Sequence, residues 1–282
     1  MDTVYRVMDT LLPFGFLRFT FMKNALLAML LLTPLLSLLG TMAVNQRMAF
    51  FSDALGHSAL AGVGIGVLLG LSNVTVILVL FGVCWAILIT RINRTGGSSS
   101  DTTISVFSSE GIALGLLILS GSGKYNRYSS ILVGDILAIT PTDILCLGIA
   151  LAVGLALWVL LYNKLLLTAI NPQLAQSRGI PTKAVEYGFV ILVAVAVMLS
   201  IRWVGVLLIN ALLILPAAAG RNLSRSARQH ALWSVGIGLA SGVGGLCLAY
   251  RWDTGVGAAV VLCAAACYFA SLIPGLVERL RA

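Results

Sequence analysis

Apolar residues run through this chain in long blocks, interrupted at short intervals by polar or basic stretches. A bilayer core of about 30 Å is crossed by roughly 20 apolar residues in a helix. By that measure helices are predicted near 22–44, 49–70, 73–91, 102–120, 142–163, 184–201, 203–220, 231–250 and 254–274. The expected fold class is all-α: a polytopic transmembrane helical bundle of about eight or nine spans, with 1–282 forming one transmembrane domain. Residues 1–21 are mixed and aromatic, which fits an interfacial segment better than a span. They lack the pattern of a cleavable signal.

Two stretches fall outside this rhythm. Residues 121–141 are too polar for a span and too apolar for a plain loop, so a short helix at the outer face is expected there, with Asp135 inside it. Residues 171–188 form the longest predicted cytoplasmic connection. Within it Pro172 suits a first helical turn and Gly179 a C-terminal cap, predicting an exposed helix of about two turns.

Composition agrees with the pattern. The chain is 59% hydrophobic and 10% charged, with a mean hydropathy of +1.03, whereas soluble domains carry about 25% charged residues. The net charge of +8 is spread singly between apolar runs, which assigns it to topology rather than to nucleic acid. Arg47, Arg91 and Arg94, then Lys164, Arg178 and Lys183, then Arg221, Arg225 and Arg228, and finally Arg279 and Arg281, alternate consistently if all are cytoplasmic. Nine spans then place the N-terminus outside, against the pull of Arg6, Arg18 and Lys23. Five cysteines lie in apolar runs without a CxxC pair and read as buried packing residues.

The polar residues inside the apolar runs carry the chemistry. In 48–70, MAFFSDALGHSALAGVGIGVLLG, Asp53 and His57 fall four apart on one helix face. A carboxylate costs about 2.5–3.5 kcal/mol at the centre of an inserted helix, so such a pair marks a functional site. Together they supply an oxygen and a nitrogen donor, half of a site for a borderline transition metal. The plainer alternative is a structural hydrogen bond between helices. A homodimer whose two-fold axis ran along this face would supply two Asp and two His. Coordination needs a neutral His57, so acid is expected to weaken binding. Ala54, Ser58, Gly62, Gly66 and Gly70 form a stripe of small residues that admits another helix, from this chain or a second copy.

Glu110 is a second intramembrane carboxylate, either a pathway residue or an acceptor for Ser108 and Ser109. Asn210 and Pro216 read as packing and bending features, and His230 as a solvated residue at the cytoplasmic edge. Gly64, Gly66 and Gly70 imitate a dinucleotide fingerprint without its strand. SGSGKY at 120–125 lacks the first Gly and the Ser/Thr of a phosphate loop. There is no HExxH, and the GD of an intramembrane aspartyl protease at Gly134–Asp135 lacks its leading Gly. No enzyme signature or nucleotide-binding motif remains, so any ATP-driven step needs a separate chain, and no resident cofactor is expected.

At this point the sequence resembles the membrane permeases of bacterial ABC importers for manganese, zinc and iron, over roughly residues 22–275. The likeness rests on RMAFFSDALGHSALAGVGIG at 47–66, SSILVGDILAITPTD at 129–143, NPQLAQSRGIP at 171–181 and IRWVGVLLINALLILPAAAGRNLSRS at 201–226. It implies a multi-pass protein of the bacterial inner membrane, paired with a second copy of itself or a related permease. It also implies cytoplasmic ATPase subunits and an extracytoplasmic binding protein that delivers Mn²⁺, Zn²⁺ or Fe²⁺. Asp53 and His57 match the family's metal pair. Residues 171–181, with Asn171, Leu174, Ala175 and Gly179, match the coupling helix that meets the ATPase, although the family often has an acidic residue where Asn171 stands. Glu110 departs from the small or apolar residues usual there. The rival functions are an ion-coupled secondary transporter, for which no repeated half is found, and an intramembrane hydrolase built on Asp135.

Overall fold

The computed structural model describes Tyr5, Met8 and residues 19–71, 73–97, 99–123, 125–128 and 133–281, without the side chains of Arg127 and 275–281. The interfacial segment expected at 1–21, with Arg6 and Arg18, lies largely outside the described residues. The long helices are α1 (Thr20–Asn45), α2 (Phe51–Leu68), α3 (Val74–Thr95), α4 (Ser100–Gly121), α5 (Pro141–Ile170), α7 (Thr182–Leu223), α8 (Ala227–Trp252) and α9 (Val256–Arg281), with the short α6 (Pro172–Ser177) between α5 and α7. Eight helices among the described residues are long and apolar enough to cross a membrane.

Their starts follow from capping. Asn73, Ser99, Asn171 and Ser226 each accept a backbone N–H three residues on, opening α3, α4, α6 and α8. The predicted spans 184–201 and 203–220 are joined without a loop as α7, which is broken at Gly205 (φ 77°, ψ 163°). Only glycine adopts that backbone readily, so the break is written into the sequence at one position. Helix α5 runs on to Ile170, seven residues past the predicted end, until Asn171 opens the next helix.

Two short turns are described in the outer stretch. Tyr125–Tyr128 makes one turn and Ile136–Ala138 a 3₁₀ turn, while 129–132 lie outside the described residues. Asp135 is not inside a helix. It caps the 3₁₀ turn, its Oδ1 accepting from Leu137 N at 3.0 Å.

The chain divides into two compact units. One comprises 1–41, 135–153 and 211–282. Here small residues let helices touch: Gly238 lies against Thr33 and Ser37, and Gly220 against Ser234. Asn24, buried in α1, accepts from Tyr5 and donates to Ile139 O, so its amide is satisfied at both ends. His230 is buried rather than solvated, with Nε2 2.9 Å from Ala217 O. Because Ser226 starts α8 one residue before Ala227, His230 falls in its first turn and is directed at α7 instead of solvent.

The other unit comprises 42–134 and 154–210. Its centre is α2, whose small residues are used against three neighbours. Gly62 meets Phe81 and Gly66 meets Ile77 on α3, Ser58 meets Gly111 on α4, and Gly56 meets Val206 on α7. Ser58, Gly62 and Gly66 of the stripe are thus used in packing within the chain, whereas Gly70 faces open space. Arg94 Nε and Glu186 Oε2 pair at 3.1 Å, tying the end of α3 to the start of α7.

Candidate metal centre

Helix α2 positions both predicted ligands. Asp53 Oδ1 lies 3.3 Å from His57 Nε2, and the side chains are 42% and 38% exposed. Their separation of one helical turn makes this contact. Both side chains are therefore partly open on one side of the chain.

Depth follows from the neighbouring helix. Ser58 sits against Gly111, Leu60 and Ala61 against Gly115, and Gly64 against Ile118, so α2 and α4 run parallel with a constant offset. That offset sets His57 level with the middle of α4, far from either end of a spanning helix. Glu110 stands at the same level as His57 and is exposed on α4. It makes no hydrogen bond with Ser108 or Ser109 among the described residues. Nor does it join Asp53 and His57: the described residues contain no cluster of three His, Cys, Asp or Glu able to hold a metal.

A third polar group does reach the pair. Asn210 Nδ2 donates to Asp53 Oδ1 at 2.7 Å. Asn210 follows the break at Gly205, on the same face as Val206, and Val206 packs on Gly56 while Asn210 meets Asp53. This arm of α7 therefore runs antiparallel to α2. Sequence reasoning treated Asn210 as packing. Its one signal was a carboxamide in the apolar run LLINALLILP, which says that a partner exists and not which one.

The predicted coupling residues also have distinct places. Asn171 caps α6, its Oδ1 accepting from Leu174 N at 3.0 Å. Gly179 (φ 73°) ends it, with Gly179 N donating to Gln176 O and Ile180 N to Ala175 O, the paired bonds of a Schellman stop. Leu174 is exposed, whereas Ala175 is fully buried and anchors the helix instead of facing outward.

Known proteins resemble this chain along nearly its whole length. The high-affinity zinc uptake system membrane protein ZnuB of Haemophilus influenzae is 33% identical over 256 residues, covering 90% of this chain and 97% of that one. The manganese import system permease protein ScaB of Streptococcus parasanguinis is 31% identical over 266 residues, covering 94% of each. Among solved structures, PsaBC from Streptococcus pneumoniae in complex with Fab superimposes with a TM-score of 0.78 at 29% identity, over 96% of this chain and 95% of that one. The model of the ABC 3 transport family matches residues 18–275. The chain accordingly belongs to the ABC 3 transport family, as a multi-pass permease subunit and not an enzyme.

Proposed function

We propose that this permease imports a divalent transition metal ion, Mn²⁺, Zn²⁺ or Fe²⁺, through a site formed by Asp53 and His57. The observation that carries the reading is their joint, half-exposed placement in the first two turns of α2, where His57 is level with the middle of α4. An uncompensated carboxylate at that depth is costly in lipid and inexpensive beside a cation. Relatives named for zinc uptake and for manganese import support the same ion class. Two ligands hold an ion weakly, so a second protomer apposed on this face completes a four-donor set. Modest affinity also suits a transported ion, which must leave again. Glu110, exposed at the depth of His57, lines the route as a cation attractor.

In this reading an extracytoplasmic binding protein delivers the ion and a cytoplasmic ATPase drives the cycle through 171–181. Leu174 projects into the ATPase, and Asn171, Ala175 and Gly179 hold its helix in shape. Asparagine and aspartate cap helices about equally well, which accounts for an amide where an acid is usual. Asn171→Ala is expected to slow ATP-coupled uptake severalfold and Asn171→Asp to leave it near wild type, since losing a cap costs about 1 kcal/mol. Ion-uptake rates of the two variants at equal membrane abundance check this.

Uptake of radioactive manganese, zinc and iron by cells producing the chain with its ATPase tests the function. Accumulation of one of these ions that stops on ATP depletion but survives an uncoupler is the expected result. Accumulation without the ATPase, abolished by the uncoupler, would instead identify a secondary transporter.

A further inference from the structure

We propose that Asn210 is a positioning residue for the transported ion, holding Asp53 by one carboxylate oxygen so that the other oxygen and the His57 imidazole are left for the metal. The inference rests on Asp53 and His57 being the ligands, and goes beyond it by assigning a third residue, on another helix, to the same site.

Asp53 Oδ1 is approached twice, by Asn210 Nδ2 at 2.7 Å and by His57 Nε2 at 3.3 Å. The shorter contact is the amide's, and a hydrogen bond to an ionised acceptor is about twice as strong as a neutral one. Both contacts use Oδ1, so Oδ2 is left for the ion, which displaces the longer contact to reach His57 Nε2.

The other end of the amide is equally informative. Asn210 Oδ1 is buried and has no hydrogen-bond partner among the described residues. A carboxamide that serves only to cross-link helices is satisfied at both ends, as Asn24 is in α1. Turning the Asn210 amide over would set its carbonyl against the Asp53 carboxylate, so charge fixes the orientation even though it strands Oδ1.

The backbone brings so short a side chain within reach. At Gly56 a Cβ would overlap Val206, so the arm of α7 carrying Val206 and Asn210 lies as close to α2 as glycine allows. The break at Gly205 starts this arm, and Gly134, itself at φ 66°, abuts Gly205 backbone to backbone. Asn210 is thereby held from one side by the break and from the other by α2. Outer-shell partners of this kind, when removed from metal ligands, typically cost 10–100-fold in affinity.

The test uses the purified full-length permease in phospholipid nanodiscs, with Co²⁺ alone as the probe. Affinity is read by titration, and ligand geometry by the visible d–d absorption of the bound ion. Asn210→Leu removes the donor at similar volume, and Asn210→Ala is the second variant should the first fail to fold. The expected result is binding weakened about tenfold with a shifted d–d band, against complete loss in Asp53→Ala. If Asp53→Ala abolishes binding but both Asn210 variants keep wild-type affinity and spectrum, Asn210 is structural and the inference falls while the site stands. A lower melting temperature with an unchanged spectrum has the same meaning. Wild-type binding in Asp53→Ala and His57→Ala would overturn the site itself, and the role of Asn210 with it.

Discussion

Cells producing Asp53→Ala or His57→Ala are expected to take up the transported ion at least a hundredfold more slowly than wild type at limiting concentration. The magnitude follows from what is removed. Changes to the partners of metal ligands already cost 10–100-fold, and here a ligand itself is lost, twice over if two protomers share the ion. Nothing on the described residues can substitute, because no third His, Cys, Asp or Glu stands with the pair. Asp53→Asn should fail nearly as badly: it keeps the shape but supplies a neutral donor at a depth where charge compensation is most of the attraction. The assay runs each variant with Mn²⁺, Zn²⁺ and Fe²⁺ at matched membrane abundance. Loss for the same ion in both alanine variants names the substrate as well as the site. Undiminished uptake in both, with normal protein levels, would make Asp53 and His57 an ordinary helix-stabilising pair.

What the sequence disclosed about this site, and what it withheld, divides by the range of the forces involved. The contact between Asp53 and His57 was legible because their spacing is local. The cap at Asn171, Pro172 in the first turn and the stop at Gly179 were legible for the same reason, since each acts within one or two turns. Asn210 was not, because its meaning depends on an arm of α7 that lies 157 residues from Asp53 in the chain. His230 was misread on similar grounds. Three nearby arginines argue for solvent, and only the packing of α8 against the end of α7 reveals Ala217 O as its partner. The small-residue stripe of α2 was visible as a capacity for close approach, but a stripe does not say which helix approaches. The structure sets Gly62 and Gly66 against α3, Ser58 against α4 and the adjacent Gly56 against α7. The predicted helices 184–201 and 203–220 are both present, and they follow one another without a loop because the break between them falls at Gly205 alone.

The close approach at Gly56 gives the second large effect. Gly56→Ala is expected to reduce ion uptake by more than about tenfold although it alters no charged group and adds a single methyl. The added Cβ would overlap Val206, a β-branched side chain with little freedom to turn aside. Val206 is buried, so the strain cannot be released into lipid. Overpacking of this kind costs typically 1–3 kcal/mol, and the relief available is to lift residues 206–210 away from α2. That movement draws Asn210 from Asp53 and loosens the carboxylate that meets the ion. Val206→Ala in the same chain makes the missing room, so the double variant should recover most of the uptake that Gly56→Ala loses. Residues in contact commonly show coupling of 0.5–3 kcal/mol, which a four-way comparison of wild type, the two single variants and the double variant can measure. Co²⁺ absorption by the same four proteins locates the effect at the site. Should Gly56→Ala transport normally, or Val206→Ala fail to improve it, the contact between α2 and this arm of α7 would be packing alone, and Asp53 would be held in place by something other than Asn210.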